Sequence, residues 1–460
     1  MADIQTQNNV ETPAGVAYYP QSSSVDAISL ITISGQRVEL KKMMMELSYF
    51  EDIYSFVTSG HVIIGDALGI VDKYQLVGNE YLEIDFGRAK DLNENVVKVF
   101  RVYKLGKRVP QGNLNSEVLT LHFCSEELIL SEQIKVGGSY NGKGAGQEIS
   151  KTVKQILVES LKIKKNLYLE DTSGIYNFIV PRLKPFEAIS WLSLYARPSS
   201  QNLAGADMIF FENKKGFHFK SLRSMFSQEV YKTFKYQQNN IESSFEDKTS
   251  SVIQYEFVKS YDLLNEISSG MFANRLISVD PLTRSYKITN FDYKTYSANN
   301  TPMNGNSVLS ESTNRLGLTQ NMASESVVKV MIGNSSQYEV PYVKEKPGSV
   351  ANDIYVENFV PHRQAQIALA NYTLVKIVVP GDPNLVAGMT INFNLYAFQI
   401  NDNNRELDKF YSGKYLINAV RHVMQSNGTY QSVLEIAKES YGTKPQTVND
   451  NTDMKAAKNE

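Results

Sequence analysis

One glycine-rich segment has the spacing of a phosphate-binding loop. Gly137, Gly142 and Lys143 reproduce the pattern G-x-x-x-x-G-K, in which backbone N–H groups and a lysine hold phosphate groups. The segment follows a strand candidate, LILSEQIKV, and precedes a helix candidate. Position 144, however, is glycine, where such a loop needs a Ser or Thr hydroxyl to bind magnesium. We therefore interpret residues 137–144 as a flexible interdomain loop, and a nucleotide-driven assembly factor is the weaker alternative.

The histidines and the single cysteine do not form a known metal or nucleophile motif. The histidines are His61, His122, His218, His362 and His422. They are far apart in the sequence and none belongs to an H-E-x-x-H motif, so a zinc site would need entirely dispersed ligands. His122 alternates with Leu121 and Phe123, which predicts a half-exposed strand position. Cys124 has no local signature of a nucleophile, and we expect it to lie in the core.

Paired carboxylates are the remaining chemical candidates. They are Glu51 with Asp52, Glu126 with Glu127, and Asp402 with Glu406. Glycoside hydrolysis needs two carboxyl groups about 5–10 Å apart across a cleft, a separation that sequence cannot show. At this density, acidic residues are typical of a solvated surface. The sequence thus predicts no catalytic, cofactor-binding or metal-binding residues, no cofactor and no enzymatic activity.

Composition excludes several classes of protein. The 460 residues suggest about three domains, and 47 Lys and Arg against 49 Asp and Glu give a net charge of −2. This balance argues against a general nucleic-acid binder. The first residues lack a secretory signal, and no stretch approaches the ~20 apolar residues of a membrane span. One cysteine excludes an intramolecular disulfide framework. Twenty-seven Tyr and 21 Phe against one Trp favour strands.

The first part of the chain is patterned as short strands. ISLITISGQRVEL contains two runs around a Ser-Gly turn, and ELSYFEDIYSFVTSGHVIIGDA contains two more, separated at Ser59-Gly60. Further strand candidates are residues 81–86, 96–105 and 117–123. Strands at this spacing predict a β-barrel or sandwich over about residues 25–131.

The period changes after residue 131. Apolar residues from Ile149 to Leu161 recur at helical spacing, and a second helix is predicted from Pro185 to about Ala196, before Pro198. FFENKKGFHF predicts a hairpin with its turn at residues 213–216. We therefore expect a mixed α+β domain over residues 132–235.

The rest of the chain combines loosely patterned segments with further strands. Residues 236–250 are polar enough for a connector, and residues 295–326 form a long stretch without clear periodicity. INFNLYAF, YLINAVRHV and YQSVLEIAK predict strands near the end. Both termini, residues 1–24 and 442–460, have the polar composition of flexible arms.

Several segments, taken in order, resemble the baseplate hub proteins of contractile phage tails, a family related to the hub portion of type VI secretion spike proteins. The likeness is strongest in HRQAQIALANYTLVKIVVPGDPNLVAGMTINFNL and DKFYSGKYLINAVRHVMQSNGTYQSVLEIAKES. Earlier support comes from ELSYFEDIYSFVTSGHVIIGDALGI, RLKPFEAISWLSLYA and the FFENKKGFHF hairpin. Together these segments cover most of residues 28–441.

The resemblance implies a β-rich α+β fold that assembles as a trimeric ring. It predicts a first tube-like β-barrel domain at 25–131, the α+β domain at 132–235, and a second tube-like β-domain formed by 236–268 and 355–441. Residues 269–354 would be an insertion domain between the two parts of the second β-domain. Three chains would then present six similar β-domains.

The function implied by the resemblance is structural. The homotrimer would adapt the threefold tail spike to the sixfold tail-tube ring and form part of the DNA conduit. The implied partners are further copies of the chain, the spike, the tube protein, and baseplate wedge or other tail proteins as further candidates. No membrane and no sequence-specific nucleic acid are expected. The implied location is the virion baseplate, assembled in the host cytoplasm. The alternative from the enzyme class is a tail-tip peptidoglycan hydrolase with dispersed carboxylates.

Overall fold

The computed structural model describes residues 21–88, 95–112, 116–140, 146–176, 178–199, 205–236, 244–280, 284–298, 302–309, 328–332, 356–397 and 406–443. The predictions for residues 1–20, 333–354, 444–460 and most of 295–326 lie outside these residues. Residues 141–145 and Asp402 also lie outside them.

A 13-stranded sheet contains most of the strands. Its amino-terminal members are β1 (Ser23–Ile31), β2 (Arg37–Glu39), β3 (Met44–Asp52), β4 (Ser59–Asp66), β5 (Tyr81–Arg88), β6 (Val96–Pro110) and β7 (Glu117–Cys124). Its carboxyl-terminal members are β15 (Val230–Lys235), β16 (Gln254–Lys259), β20 (Thr373–Pro380), β21 (Thr390–Asn394), β22 (Gly413–Gln425) and β23 (Tyr430–Lys438). The order is β16-β20-β23-β22-β3-β4-β7-β6-β5-β1-β2, with β21 also beside β22 and β15 beside β21. The predicted β-rich α+β class is therefore confirmed.

The amino-terminal strands form what we call the first β-region, residues 23–124. Their inward side chains alternate with half-exposed ones, as on Leu119, Leu121 and Phe123 of β7, and they pack into one core. A 3₁₀ turn (Lys41–Met43) and a short helix, α1 (Ile70–Tyr74), lie beside this core. The period-two pattern thus fixes which face of each strand is buried.

The carboxyl-terminal strands form the second β-region, which has its own core. Ile391 and Phe393 are buried on one face of β21, and Leu395, the residue after the strand, is buried as well. This is the face that the alternation of apolar residues in INFNLYAF predicts. The two β-regions join where β22 pairs antiparallel with β3, from Ala419 opposite Asp52 to Gln425 opposite Glu46. Both regions therefore belong to one hydrogen-bonded sheet.

The α+β region lies between β7 and β15 in the sequence. Its helices are α2 (Glu126–Gln133), α3 (Ile149–Gln155), which continues as a π-helical turn (Ile156–Ser160), α4 (Pro185–Ser193) and α5 (Leu222–Phe226). Its strands are β8 (Val136–Tyr140), β9 (Leu167–Leu169), β10 (Thr172–Ser173), β11 (Phe178–Leu183), β12 (Arg197–Pro198), β13 (Met208–Asn213) and β14 (Gly216–Ser221). The β13–β14 hairpin confirms the turn predicted at residues 213–216.

The remaining elements lie between β15 and β20 in the sequence. They are α6 (Phe245–Thr249), α7 (Leu263–Ser268), β17 (Ala273–Asp280), β18 (Ser285–Asp292), α8 (Tyr293–Ala298), β19 (Val328–Ile332), a 3₁₀ turn (Val356–Asn358) and α9 (Val360–Ala370). β17, β18 and β19 form a separate three-stranded sheet. Of the helices that the structure describes, none is long and apolar enough to cross a membrane.

Two local predictions were wrong for identifiable reasons. LILSEQIKV is not one strand, because residues up to Gln133 belong to α2, whose first turn carries Glu126 and Glu127. Ser59-Gly60 is not the break between two strands, because both residues lie within β4. Gly60 is needed there for space: a Cβ atom would lie 2.4 Å from the Phe123 ring.

Candidate functional site: a buried junction of three regions

Glu51 is a buried carboxylate where three parts of the chain meet. It lies on the inward face of β3, the same face as Leu47 and Tyr49, and is 1% exposed. Its Oε1 accepts hydrogen bonds from the Tyr49 hydroxyl at 2.9 Å and from the Lys214 N–H at 2.5 Å. Its Oε2 accepts from the Ala387 N–H at 3.0 Å. One side chain of the first β-region therefore binds the β13–β14 turn and the loop before β21.

Glu212 is a second buried carboxylate, near the end of β13. Its Oε2 accepts from the Ser125 hydroxyl at 2.6 Å and from the Thr58 N–H at 3.0 Å. Its Oε1 accepts from Lys165 Nζ at 2.8 Å and lies 3.6 Å from Lys98 Nζ. Glu212 thus connects the α+β region to one end of the β4–β7 strand pair, where Thr58 precedes β4 and Ser125 follows β7.

The charges in this junction compensate one another. Burial alone would raise the pKa of Glu212, but Lys98 and Lys165 outweigh burial and lower it. The pKa of Lys165 is raised, because attraction to Glu212 and Glu127 exceeds the effect of burial. Removing one member would leave an uncompensated buried charge, which costs about 3–5 kcal/mol in comparable ion pairs.

A second set of contacts fastens the turn after β20. Arg88, at the end of β5, donates from Nη2 to the Gly381 carbonyl at 2.6 Å and lies 3.7 Å from Asp382 Oδ2. Gly381 packs directly on the Tyr430 ring, where a Cβ atom would lie 2.1 Å from Cγ. The Pro-Gly-Asp turn at residues 380–382 therefore carries a contact between the two β-regions.

His422, within β22, packs against the Tyr49 ring of the first β-region, with ring centroids 5.9 Å apart. Burial lowers its pKa to about 3, so the ring is neutral at pH 7. Tyr430 donates its hydroxyl proton to Nδ1 at 2.8 Å, and Nε2 then donates to the Leu385 carbonyl at 3.1 Å. Both ring nitrogens are occupied by structural hydrogen bonds, so His422 acts as a rigid cross-link.

We define the junction as Tyr49, Glu51, Arg88, Lys98, Lys165, Glu212, Gly381 and His422. Its polar side chains are largely buried and bonded to one another or to backbone groups. This arrangement fits mechanical connection of the three regions, since a catalytic site needs a cleft and a group free to react.

Most of the histidines considered as metal ligands lie apart from one another in the structure. His61 and His122 are the exception: they face each other across β4 and β7, with ring centroids 5.9 Å apart. His122 is half-buried, as predicted. His218 stacks between Tyr168 and Phe211, and His362 lies in α9. Within the described ranges, no three His, Cys, Asp or Glu side chains are grouped so as to hold a metal ion.

Cys124 lies in the core, as predicted. It is 2% exposed at the end of β7. Burial raises the pKa of its thiol to about 11, which keeps it protonated at neutral pH and unreactive as a nucleophile.

The glycine-rich segment differs from its interpretation as a loop. Gly137 and Gly138 belong to β8, which pairs with β11, so the first part of the segment is strand. Gly142, Lys143 and Gly144 lie outside the described residues. Because residues 137–140 are extended, this part of the segment does not form a loop around a phosphate group.

Of the predicted carboxylate pairs, the two that lie within the described residues do not face each other across a cleft; Asp402 of the third pair lies outside them. Glu51 points into the junction, whereas Asp52 is half-exposed and caps the Tyr54 N–H. Glu126 accepts from the Tyr81 hydroxyl and Glu127 binds Lys165. Glu406 makes an exposed contact with Lys409.

Sequence reasoning missed the junction, although one signal was available. Glu51 and Glu212 occupy inward positions in alternating strands, after Tyr49 and Phe210. A charged residue at such a position is rarely buried unless it is paired. The identity of its partners could not be read, because they come from distant parts of the chain.

Comparison with solved structures defines the class of fold. The chain aligns with a tail protein from Neisseria meningitidis MC58 with a TM-score of 0.51 and 9% identity, covering 91% of this chain and 99% of that one. It aligns equally well, with a TM-score of 0.51 and 8% identity, with the 43 kDa tail protein of prophage MuSo2 from Shewanella oneidensis, again over 91% and 99%. The fold is therefore one shared with tail proteins.

Comparison with curated sequences is more specific. The chain is 23% identical over 412 residues to the probable baseplate hub protein gp334 of Vibrio phage KVP40, covering 86% of this chain and 89% of that protein. The resemblance to baseplate hub proteins drawn from the residues is thereby confirmed. A scan against protein-family models found no match.

Proposed function

We propose that this chain is the structural baseplate hub of a contractile phage tail. In this role a homotrimer adapts the threefold spike to the sixfold tail tube and forms part of the DNA conduit within the virion baseplate. The similarity to the KVP40 hub protein over most of both chains carries this proposal. The fold shared with two tail proteins supports it.

The two β-regions give the proposal its geometry. Each has its own core, and the β3–β22 pairing joins them edge to edge. Three chains in a ring would supply six such regions, which suits a sixfold partner on one side and a threefold partner on the other. The domain boundaries expected from sequence remain part of this proposal.

One edge of the sheet suits contact with another copy. β16 is the last strand of the sheet order, and its described neighbour is β20 on one side. Large apolar side chains are exposed on or near it: Ile253, Val258, Tyr261 and Leu264. Open edges with apolar side chains invite pairing with another chain. We assign this β16 edge to the trimer interface.

The proposed role is not enzymatic. The junction uses its buried polar groups for connection, and the relative that aligns with 86% of this chain is a probable baseplate hub protein. A net charge of −2 also suits a conduit, because a strongly basic lining would retain DNA through counterion release.

Mass measurement tests the assembly. For the full-length chain we expect a species of about 155 kDa, three times the 51.8 kDa protomer, by mass photometry or light scattering. Val258→Glu should shift this species toward the monomer, since it places a charge on the β16 edge. Leu68→Glu, at an exposed position before α1, is the matched control and should leave the mass unchanged.

Co-sedimentation with tube and spike proteins tests the adapter role. The trimer should bind both partners independently of each other. A trimer that binds neither would contradict the adapter role while leaving the assembly intact. A lytic band on peptidoglycan zymography would contradict the non-enzymatic role.

A further inference from the structure

A cavity of about 360 Å³ lies away from the junction, between α5, α8, α9 and the end of β23. Its volume is within the range of small-molecule sites, ~300–1,000 Å³. Its apolar wall includes Phe226 and Leu369, and the rings of Tyr293 and Tyr296 also line it. The cavity is large enough for a ligand of several heavy atoms, and far larger than one water molecule needs.

Asp207 lines this cavity with an unsatisfied oxygen. The residue is 2% exposed. Its Oδ2 accepts from the Arg223 N–H at 3.2 Å, whereas Oδ1 has no hydrogen-bond partner in the part of the chain that the structure describes. A buried carboxylate oxygen without a donor costs free energy, so the site lacks a donor group.

A second acceptor in the lining is also unsatisfied. Gln366 of α9 is 8% exposed and donates from Nε2 to the Tyr296 hydroxyl at 2.8 Å. Its Oε1 has no partner within the described residues. Glu439 adds a carboxylate to the lining, with Oε1 accepting from the Met303 N–H at 2.8 Å. The polar groups in need of partners are therefore acceptors.

Among the described residues, none of the positive groups around Asp207 donates a hydrogen bond to its Oδ1. The charged residues next to Asp207 or in the cavity lining are Glu170, Arg223, Arg363, Lys414 and Glu439. Lys414 donates its ammonium to the Gln228 carbonyl, and Arg363 donates to the carbonyls of Ser193 and Ala206. Burial, followed by the nearby Glu170 charge, raises the pKa of Asp207 to about 7 even though Arg363 opposes this.

We propose that this cavity binds a small organic cation with N–H donors, a primary ammonium or guanidinium, between Asp207, Gln366 and the rings of Tyr293 and Tyr296. Such a group donates several hydrogen bonds to carboxylate and amide oxygens. Tyrosine rings stabilise the same cation through their π faces. The ligand chemistry is shared by a free alkyl diamine and by a lysine side chain of a partner protein. This proposal is independent of the hub assignment.

Calorimetric titration of the full-length chain tests the site, with 1,4-diaminobutane, Nα-acetyl-lysine methylamide and 1,4-butanediol as probes. Both amines should bind and the diol should not. Tighter binding of the diamine assigns the site to a free diamine, and equal or tighter binding of the capped lysine assigns it to a protein side chain. Failure of both amines to bind, or equal binding of the diol, would overturn the proposal.

Variants locate the binding. Asp207→Asn should weaken amine binding at least tenfold, and Gln366→Met should weaken it several-fold while leaving Asp207 in place. Asp72→Asn, at a carboxylate that is 83% exposed in the first β-region, is the matched control and should bind like the wild type. Unchanged affinity in both cavity variants would overturn the proposal even if an amine binds elsewhere.

Binding should also depend on pH. With Asp207 titrating near pH 7, the fraction of ionised carboxylate rises about tenfold from pH 6 to pH 8, and amine affinity should rise by the same factor. Asp207→Asn should remove most of this rise. A wild-type affinity that is equal at both pH values would contradict binding to the Asp207 carboxylate.

Discussion

Two carboxylates at opposite ends of β13 have the same burial and opposite surroundings. Glu212 is fully buried, and both its oxygens accept hydrogen bonds or contact lysines. Asp207, just before the strand, is almost as buried, yet one oxygen has no donor among the described residues. The pKa of Glu212 is lowered, whereas that of Asp207 is raised to about 7.

The difference separates a structural role from a binding role. A compensated carboxylate such as Glu212 holds parts of the chain together, because its oxygens already have hydrogen-bond and lysine partners within the fold. An uncompensated carboxylate such as Asp207 lowers the free energy of unfolding. A bound ligand that donates a hydrogen bond to the free oxygen would offset this loss. Burial alone therefore does not distinguish the two roles, but hydrogen-bond satisfaction does.

The largest expected effect comes from breaking the junction at Glu212. Glu212→Ala leaves Lys98 and Lys165 without their buried carboxylate, and we expect a loss of about 3–5 kcal/mol in the free energy of unfolding by urea titration. Glu117→Ala removes the surface partner of Arg108 and should cost far less, because solvent screens an exposed ion pair. Similar losses in the free energy of unfolding for both variants would show that the buried Glu212 contacts stabilise the fold no more than a surface ion pair does.

Acid should weaken the junction through His422. The folded pKa of about 3 lies below the ordinary value of 6.5, so the unfolded chain binds the extra proton first as pH falls. Stability is therefore present above pH 6.5 and is lost toward pH 3, by about 2 kcal/mol at pH 5. His422→Gln should lose less stability than the wild type between pH 7 and pH 5, in urea titrations at both values. His61→Gln, at a less buried histidine whose pKa is also lowered by burial, is the matched control and should change the pH dependence much less than His422→Gln does. An unchanged pH dependence in His422→Gln would contradict the neutral, cross-linked ring.

The cavity carboxylate should show the opposite pH dependence. The folded pKa of Asp207 lies above its ordinary value of 3.8, so the folded state holds the proton longer as pH rises. Its contribution to stability falls between about pH 4 and pH 7. In the absence of ligand, Asp207→Asn should raise the free energy of unfolding at pH 8 by about 2–4 kcal/mol and change it little at pH 4. A loss at pH 8 as large as that of Glu212→Ala would erase the distinction between the two carboxylates.

The smallest expected effect concerns one hydrogen bond of the junction. Tyr49→Phe removes the hydroxyl that donates to Glu51, which keeps its bonds from Lys214 and Ala387. We expect a loss of about 1 kcal/mol by thermal or urea unfolding. Tyr54→Phe, at a residue that is 46% exposed and whose hydroxyl is bonded to Asn371, should cost less. A loss of several kcal/mol for Tyr49→Phe would mean that the Glu51 carboxylate depends on that hydroxyl more than its other bonds suggest.

Sequence reasoning was most successful where a local period decides the structure. The alternation in β7 and β21 predicted their buried faces, and Pro185 and the apolar stripe after it predicted α4. The order of the segments also predicted the likeness to hub proteins. These signals lie within a few residues of one another, so no tertiary information was needed.

Three of the failures have the same cause, which is contacts between residues distant in the sequence. Gly60 was predicted to be a turn residue, but it is glycine because the Phe123 ring leaves no space for a side chain. That ring is more than sixty residues away in the sequence. The junction and the cavity were invisible for the same reason: Glu51 finds its partners at Lys214 and Ala387, and Asp207 meets a cavity formed by α8, α9 and β23. The identity of a partner across hundreds of residues is set by the fold, which the residue pattern does not encode locally.

Imaging of the purified full-length chain tests the hub assignment most directly. Class averages or a low-resolution reconstruction should show three copies in a closed ring, with the two β-regions of each chain alternating around it to give sixfold-like symmetry. A chain that stays monomeric at every concentration, or a ring without this near-sixfold arrangement, would contradict the account.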